Sequence, residues 1–219
     1  MNPDPDALKY QSGGPPEPGS VAADVIVSPD TRRANRMPPG QVRTRKWPVL
    51  HATEVPSIST SEWRLSVDGL VERLLKFTWD EFQTLPRVQV FADFHCVTRW
   101  SRLGNLWEGV SVRHLLHLAG VKPQAKYVIA GGYDSTWTTN LPLEEFNKED
   151  ALVADRHDGE PLHPDHGGPA RLIVPRLYAW KSAKWLKRIT LVEHDQPGTW
   201  EELGYHNYGD PWREERYTE

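Results

Sequence analysis

Apolar residues in this chain come in short alternating runs broken by turn residues, and that pattern limits the fold more than any other feature. The clearest run lies at 87–94, where Val88, Val90, Ala92 and Phe94 alternate with Arg87, Gln89, Phe91 and Asp93, the period of a strand with one face buried. Trp63, Leu65 and Val67 alternate with Arg64 and Ser66, and this run turns at Asp68-Gly69. Lys126 to Ala130, Arg171 to Val174 and Arg188 to Val192 are further strands, and Asp158-Gly159 is a hairpin signal after the apolar stretch Ala151 to Ala154. Helical signals are brief. Thr78 and Glu81 form a capping box for a helix that Pro86 ends. Ser111 caps a helix carrying Val112, Leu115, Leu116 and Ala119, with Gly120 as its stop, and Pro142 to Phe146 is one helical turn. No βαβ rhythm and no internal repeat are present. The expected class is therefore α+β, with mixed β-sheets and short helices.

Residues 1–46 are Pro/Gly-rich and then basic, without periodicity. They are expected to be an extended or disordered segment, with Ser12 to Gly19 disordered or draped over the domain. Arg32, Arg33, Arg36, Arg43, Arg45 and Lys46 read as a solvated run. One domain, 47–219, should follow from Trp47. A net charge of −4 argues against nucleic acid as a partner. No apolar run approaches the roughly 18 residues of a membrane span. The start carries no apolar signal core and no twin-Arg signal, so the reading is cytoplasmic. The ten Trp are expected to pack against a β-rich core.

The single cysteine, Cys96, stands where the 87–94 strand runs out, followed by Arg99 and Arg102. One Cys excludes an internal disulfide. Cationic neighbours favour the thiolate, so Cys96 is a nucleophile, a metal ligand or, in the plainer reading, a packed thiol. No CxxC exists for a zinc or iron–sulfur site. A metal here must bring most of its own ligands. His95 is a poor base for Cys96, because neighbours on a strand point to opposite faces. His157, His163 and His166 have spacings unlike those of common zinc sites, and His157 and His163 read as surface residues.

The segment Phe94-His95-Cys96-Val97-Thr98-Arg99-Trp100-Ser101, with Trp107-Glu108-Gly109-Val110, resembles the molybdenum-ligand segment of the sulfite oxidase family of molybdopterin enzymes. His166-Gly167-Gly168-Pro169-Ala170-Arg171 and Lys181-Ser182-Ala183-Lys184-Trp185 resemble that family's pterin-phosphate segments, in the same order. The match is closest to the compact bacterial single-domain branch, similar to the catalytic subunits of methionine sulfoxide reductases. The resemblance implies an α+β molybdopterin-binding fold and a molybdenum-molybdopterin cofactor with one pyranopterin. It assigns Cys96 as the one protein ligand of the metal. It makes Arg171, Lys181, Ser182 and Lys184 phosphate contacts, and His166 and His51 pterin contacts. Thr199 to Tyr205 resembles the segment whose tyrosine sits by the substrate oxygen, which puts Tyr205 beside the reacting atoms, with Arg99 or Arg102 as anion contacts.

Ser101 stands where the sulfite oxidases carry an arginine, and Trp47 to His51 lacks their Arg and Asn. The departures lower sulfite oxidation and raise oxygen-atom transfer on a small sulfur- or nitrogen-oxide. With no CxxCH and no flavin fingerprint, electrons come from a separate haem or flavin protein. The family's dimerisation domain is missing, which implies a monomer. A non-catalytic cofactor carrier, a cysteine-nucleophile enzyme and a plain interaction domain remain the alternatives.

Overall fold

The structure is a computed structural model describing residues 17–134 and 136–218. Its elements run β1 (Ile26–Val27), β2 (Val42–Arg43), β3 (Arg64–Gly69), β4 (Leu75–Thr78), α1 (Trp79–Gln83), β5 (Arg87–His95), β6 (Trp100–Ser111), α2 (Val112–Ala119), β7 (Tyr127–Gly132), β8 (Thr138–Pro142), α3 (Leu143–Phe146), β9 (Leu152–His157), β10 (Glu160–Pro161), β11 (Arg171–Ile173), β12 (Leu186–Val192) and α4 (Thr199–Glu202). Among the described residues they form two mixed sheets. One runs β1-β5-β6-β9-β10, with β2 beside β6 and β11 beside β9; the other runs β4-β3-β12-β7-β8. The class is the α+β expected.

Local chemistry explains several boundaries. Thr78 Oγ1 accepts from the Glu81 amide at 3.2 Å while the Glu81 carboxylate accepts from the Thr78 amide at 2.7 Å, so the capping box opens α1 as expected. Gly120 closes α2 at φ +69°, a left-handed position that favours glycine. Ser111 precedes α2, but its side chain makes no capping bond. Asp158 and Gly159, both at positive φ, make the two-residue turn between β9 and β10. The longest strand, β6, has no simple alternation and escapes a sequence reading. It is defined by its partners: β5 along one edge, and β9 and β2 along the other. Gly109 lets β6 and β9 close up, since a Cβ there would lie 2.0 Å from the Val153 carbonyl oxygen.

The large core lies between the sheets, where Trp63, Leu65, Val67, Ile189 and Leu191 meet Val110, Val153, Leu172 and the apolar face of α2. A second core on the first sheet joins Trp47, Val90, Ala92, Phe94 and Trp107 to Leu152 and Ile173.

The start expected at Trp47 is not where packing begins. Within the stretch read as an extended or disordered segment, β1 pairs with Val90–Phe91 and β2 with Trp100–Ser101. The reason is visible on β5, whose second face was expected to be solvated. Phe91, Asp93 and His95 are all buried. Arg36 covers that face, donating from Nε to Asp93 at 2.8 Å and lying over the Phe91 ring. Residues 12–16 of the stretch expected to be disordered or draped lie outside the described residues. No helix among the described residues is long and apolar enough to cross a membrane.

Candidate active site

The first sheet delivers Cys96 to one place. β5 and β6 pair from Arg87↔Val110 to His95↔Ser101, and Cys96 begins the turn that joins them. The Cys96 amide donates to the Trp100 carbonyl at 2.9 Å, the Arg99 amide donates to the Cys96 carbonyl at 3.1 Å, and Arg99 takes φ +72° to close the turn. The thiol then faces a cavity of about 230 Å³. Its walls come from six separate segments, and six of the ten tryptophans line it: Trp47, Trp100, Trp137, Trp180, Trp185 and Trp200. The expected packing role holds for Trp47, Trp63 and Trp107 in the cores and for Trp79, Trp100 and Trp137 against them, and the cavity wall adds a second role for several of them.

Around Cys96 the walls are aromatic. Val97, Tyr178 and Trp180 share its cluster, with Trp100, Trp200 and Tyr205 against it. Tyr205 stacks on Trp200, ring centroids 5.0 Å apart, and meets Trp180 edge-on at 5.1 Å. Burial pushes the Cys96 thiol above its ordinary pKa, while the Thr98 hydroxyl at 3.2 Å and the charge of Lys184 pull it back in part. Arg99 and Arg102 do not supply the activation expected of them. Arg99 is exposed, is not part of the cavity lining, and reaches toward Gly40. Arg102 is buried in a network with Asn105, His157 and Asp158. A thiol with a raised pKa is a poor free nucleophile. His95 points away to Ser101, Nδ1 to Oγ 2.8 Å.

Two cations, Arg171 and Lys184, line the same cavity. Arg171 is buried with no carboxylate partner among the described residues; Nη1 donates to the His166 carbonyl and Nη2 to the Ser182 carbonyl, each at 2.8 Å. Burial alone lowers its pKa to about 9. Beside it, burial and the Arg171 charge lower Lys184 to about 7. Lys184 Nζ donates to the carbonyls of Leu50 at 3.0 Å and Asp165 at 2.7 Å, and lies 3.3 Å from His51 Nδ1. Arg171, buried, and Lys184, half-buried, repel each other and have lost water, and the acids whose charge reaches Lys184, Asp134 in the cavity wall and Asp165, offset that only in part. An anionic ligand would relieve both costs.

The remaining expected residues divide. Ser182 lines the cavity, with Oγ accepting from the Val174 amide at 2.9 Å. His51 lines it at the exposed edge. His166 is buried behind it and stacks on Trp47 at 3.8 Å, 9° from parallel. Burial and Arg171 lower its pKa to about 3, so the ring is neutral. Lys181 is elsewhere. Its ammonium is buried against the Glu201 carboxylate and donates to the carbonyls of Asn140 at 2.8 Å and Asn207 at 2.7 Å, which uses its three protons. Gly167 and Gly168 admit the chain's own backbone: Cβ atoms there would meet Lys184 Cα at 3.0 Å and the Leu162 carbonyl oxygen at 2.1 Å. His157, expected on the surface, is buried beside Trp47 and Trp107, while His163 is exposed as expected. No group of three or more His, Cys, Asp or Glu suited to a metal ion occurs among the described residues.

Sequence reasoning missed Trp180, Trp200 and Glu201. Glu201 accepts from Lys181, from Trp180 Nε1 at 2.8 Å and from Thr139 Oγ1 at 3.1 Å, tying the aromatic wall to the Lys181 network. Nothing local in the sequence signals it.

The donor set suits a pyranopterin that brings its own sulfurs and a phosphate. One thiol faces the cavity, Arg171, which pairs with no carboxylate among the described residues, and Lys184 line it too, and Trp100, in its wall, buries an indole N–H with no acceptor among the described residues.

The comparisons agree with that chemistry. The family model described as oxidoreductase molybdopterin binding domain matches residues 52–200. The chain is 46% identical over 187 residues to an uncharacterized oxidoreductase, YuiH, of Bacillus subtilis, a match covering 85% of this chain and 94% of that protein. It is 30% identical over 156 residues to the putative protein-methionine-sulfoxide reductase subunit YedZ1 of Azospira oryzae, covering 71% of this chain and 59% of that one. With the inducible NADH nitrate reductase 1 of Glycine max it shares 31% identity over 64% of its length, but only 19% of the reductase is spanned. Among solved structures, the sulfane dehydrogenase SoxCD of Paracoccus pantotrophus matches with TM-score 0.59 and 28% identity, over 64% of this chain and 40% of that one. The chain therefore belongs to the molybdopterin-binding oxidoreductases of the sulfite oxidase type, and its cofactor is molybdenum-molybdopterin.

Proposed function

We propose that Cys96 is the protein ligand of the molybdenum and that the enzyme carries out two-electron oxygen-atom transfer on a small, neutral sulfur- or nitrogen-oxide. One observation carries the reading: the only thiol of the chain lines a cavity with aromatic walls that Arg171 and Lys184 also line. When bound, the cofactor supplies two dithiolene sulfurs and the redox centre. The protein supplies position and electrostatics. Arg171, Lys184, Ser182 and His51 hold the phosphate end, and His166 fixes the Trp47 wall behind it. Lys181 acts one layer back, holding Asn140, Asn207 and Glu201. Tyr205 donates its phenol proton to the substrate oxygen from a ring braced by Trp200 and Trp180. Trp100, Trp180 and Trp200 bind the apolar part of the substrate and exclude water. Neither Arg99 nor Arg102 faces this volume, so the two arginines expected to meet a dianion such as sulfite do not line it. A separate haem or flavin protein in the cytoplasm exchanges the electrons.

The test is metal analysis and pterin fluorescence on protein from a host that makes the cofactor, for wild type and Cys96→Ser, followed by turnover with an artificial reductant. Roughly one molybdenum and one pterin per chain are expected in the wild type, with molybdenum lost and pterin kept in the variant. A dialkyl sulfoxide or amine oxide should turn over and sulfite should not. Full molybdenum in Cys96→Ser would end the ligand assignment, and efficient sulfite oxidation would end the substrate assignment.

A further inference from the structure

The electron partner has a surface to meet. Residues 31–46 carry Arg32, Arg33, Arg36, Arg43, Arg45 and Lys46 and no Asp or Glu, in a chain whose net charge is −4. Four of these arginines, at 32, 33, 36 and 43, line one open groove on the molecule, with Glu17 as the single acid in its lining. Arg33 pairs with Asp30 and lies 4.1 Å over the Trp212 ring, and Arg36 is held by Asp93. Arg32, Arg43 and Lys46 are exposed and take part in no ion pair among the described residues. Val42, next to Arg43 on β2, is 69% exposed.

The same edge is wired to the metal ligand. Gln41 Nε2 donates to the Cys96 carbonyl at 3.0 Å, and the Val42 amide donates to the Arg99 carbonyl at 2.7 Å. One hydrogen bond and one side chain therefore separate the Cys96 backbone from the surface strand β2. A groove lined by like charge gives fast, steered and short-lived encounters, the kind a redox pair needs. Nucleic acid and anionic lipid also seek positive charge, but neither explains why the patch should sit one hydrogen bond from Cys96.

We propose that the edge at β2, with the groove that Arg32 and Arg43 line, is the docking surface for an acidic electron-transfer protein; the route inward rests on Cys96 being the metal ligand. Each encounter oxidises the partner's haem or flavin by one electron. Two encounters, with two protons from solvent, reduce one substrate oxide to the deoxygenated product and water.

The experiment uses the ¹⁵N-labelled holoenzyme and two probes, the acidic soluble haem domain of a cytochrome b5 and the basic cytochrome c. At about 20 mM ionic strength, where charges are weakly screened, the acidic probe should shift amides within residues 31–46 and cytochrome c should not. Arg32→Glu with Arg43→Glu should weaken that binding about tenfold and slow electron delivery from the reduced haem domain by a similar factor. Reduction by a small neutral dye should stay unchanged. Shifts confined to another face, indifference to the double charge reversal, no interaction with the acidic probe, or binding to anionic vesicles in its place would each overturn the proposal. The Cys96→Ser metal analysis fails independently: a variant that retained molybdenum while the shifts stayed at 31–46 would remove the route inward and leave the docking face standing.

Discussion

Replacing Lys181 by Met separates two roles that a sequence motif cannot tell apart. The Lys181 ammonium is fully buried, and its partner carboxylate on Glu201 is nearly so. Removing the cation leaves Glu201 with only Trp180 Nε1 and Thr139 Oγ1 as donors, and leaves the carbonyls of Asn140 and Asn207 without theirs. Breaking a buried pair from one side costs about 3–5 kcal/mol, because the surviving charge has lost both water and counter-ion. For a domain of this size that corresponds to a fall in melting temperature of roughly 6–20 °C. The measurement is urea unfolding of metal-free protein for wild type, Lys181→Met, Glu201→Gln and the double variant. The double variant should recover part of the loss, with a coupling of about 1–3 kcal/mol between the two sites. A phosphate-binding lysine would behave in the opposite way, lowering cofactor content and leaving metal-free stability within about 0.5 kcal/mol. That result would refute the structural role derived for Lys181.

Lys184 titrates near pH 7 in the folded chain and far higher when unfolded, so between these values the unfolded state holds the extra proton. Stability of the metal-free protein should accordingly rise as pH increases above about 7, and Lys184→Met should flatten that rise in pH-dependent unfolding. Sulfate, an anion that does not titrate in this range, should bind the cavity less well as pH rises from about 6 to 8, followed by calorimetry. Tyr205→Phe keeps the stack on Trp200 and removes only the hydroxyl, so kcat should fall on the order of 10²-fold with pterin content unchanged. Arg36→Ala strips Asp93 of its guanidinium and uncovers Phe91. Limited proteolysis should then cut near Arg32-Arg33, at a protease concentration that leaves the wild type intact.

The parts of the fold that could be read were those whose cause is local. Thr78 and Glu81 satisfy each other within one turn, Gly120 supplies its own backbone freedom, and Trp63, Leu65 and Val67 share one buried face. β6 and the first strands were not legible, for a shared reason. Ser101, Arg102 and Asn105 are buried within β6 because other segments satisfy them: His95, Asp158 and Ala92 respectively. The residues around Arg36 look like a solvated basic run until Asp93, more than fifty positions later, turns out to face them. At the site, Cys96, Arg171, Ser182 and Lys184 were legible because the motifs keep them together. Lys181 belongs to the same motif, yet it follows the tight Ala179–Lys181 turn into the interior. Glu201 was not legible, since a carboxylate on a short helix looks like any exposed acid until its three donors are in place.

The hairpin that ends at Cys96 divides the labour of the enzyme. β5 and β6 are bonded to each other along their length and flanked on both sides, so the thiol stands at the tip of the most deeply embedded part of the molecule. The walls it faces arrive separately, on the stretch after Trp47, on the turn between β7 and β8, and on α4 with the chain that follows it. Anchorage and appetite are thus inherited from different pieces of chain. With Cys96 as the proposed ligand, substitutions in those walls should retune what the enzyme accepts without moving the metal, whereas a change along the hairpin should shift the metal and every substrate with it.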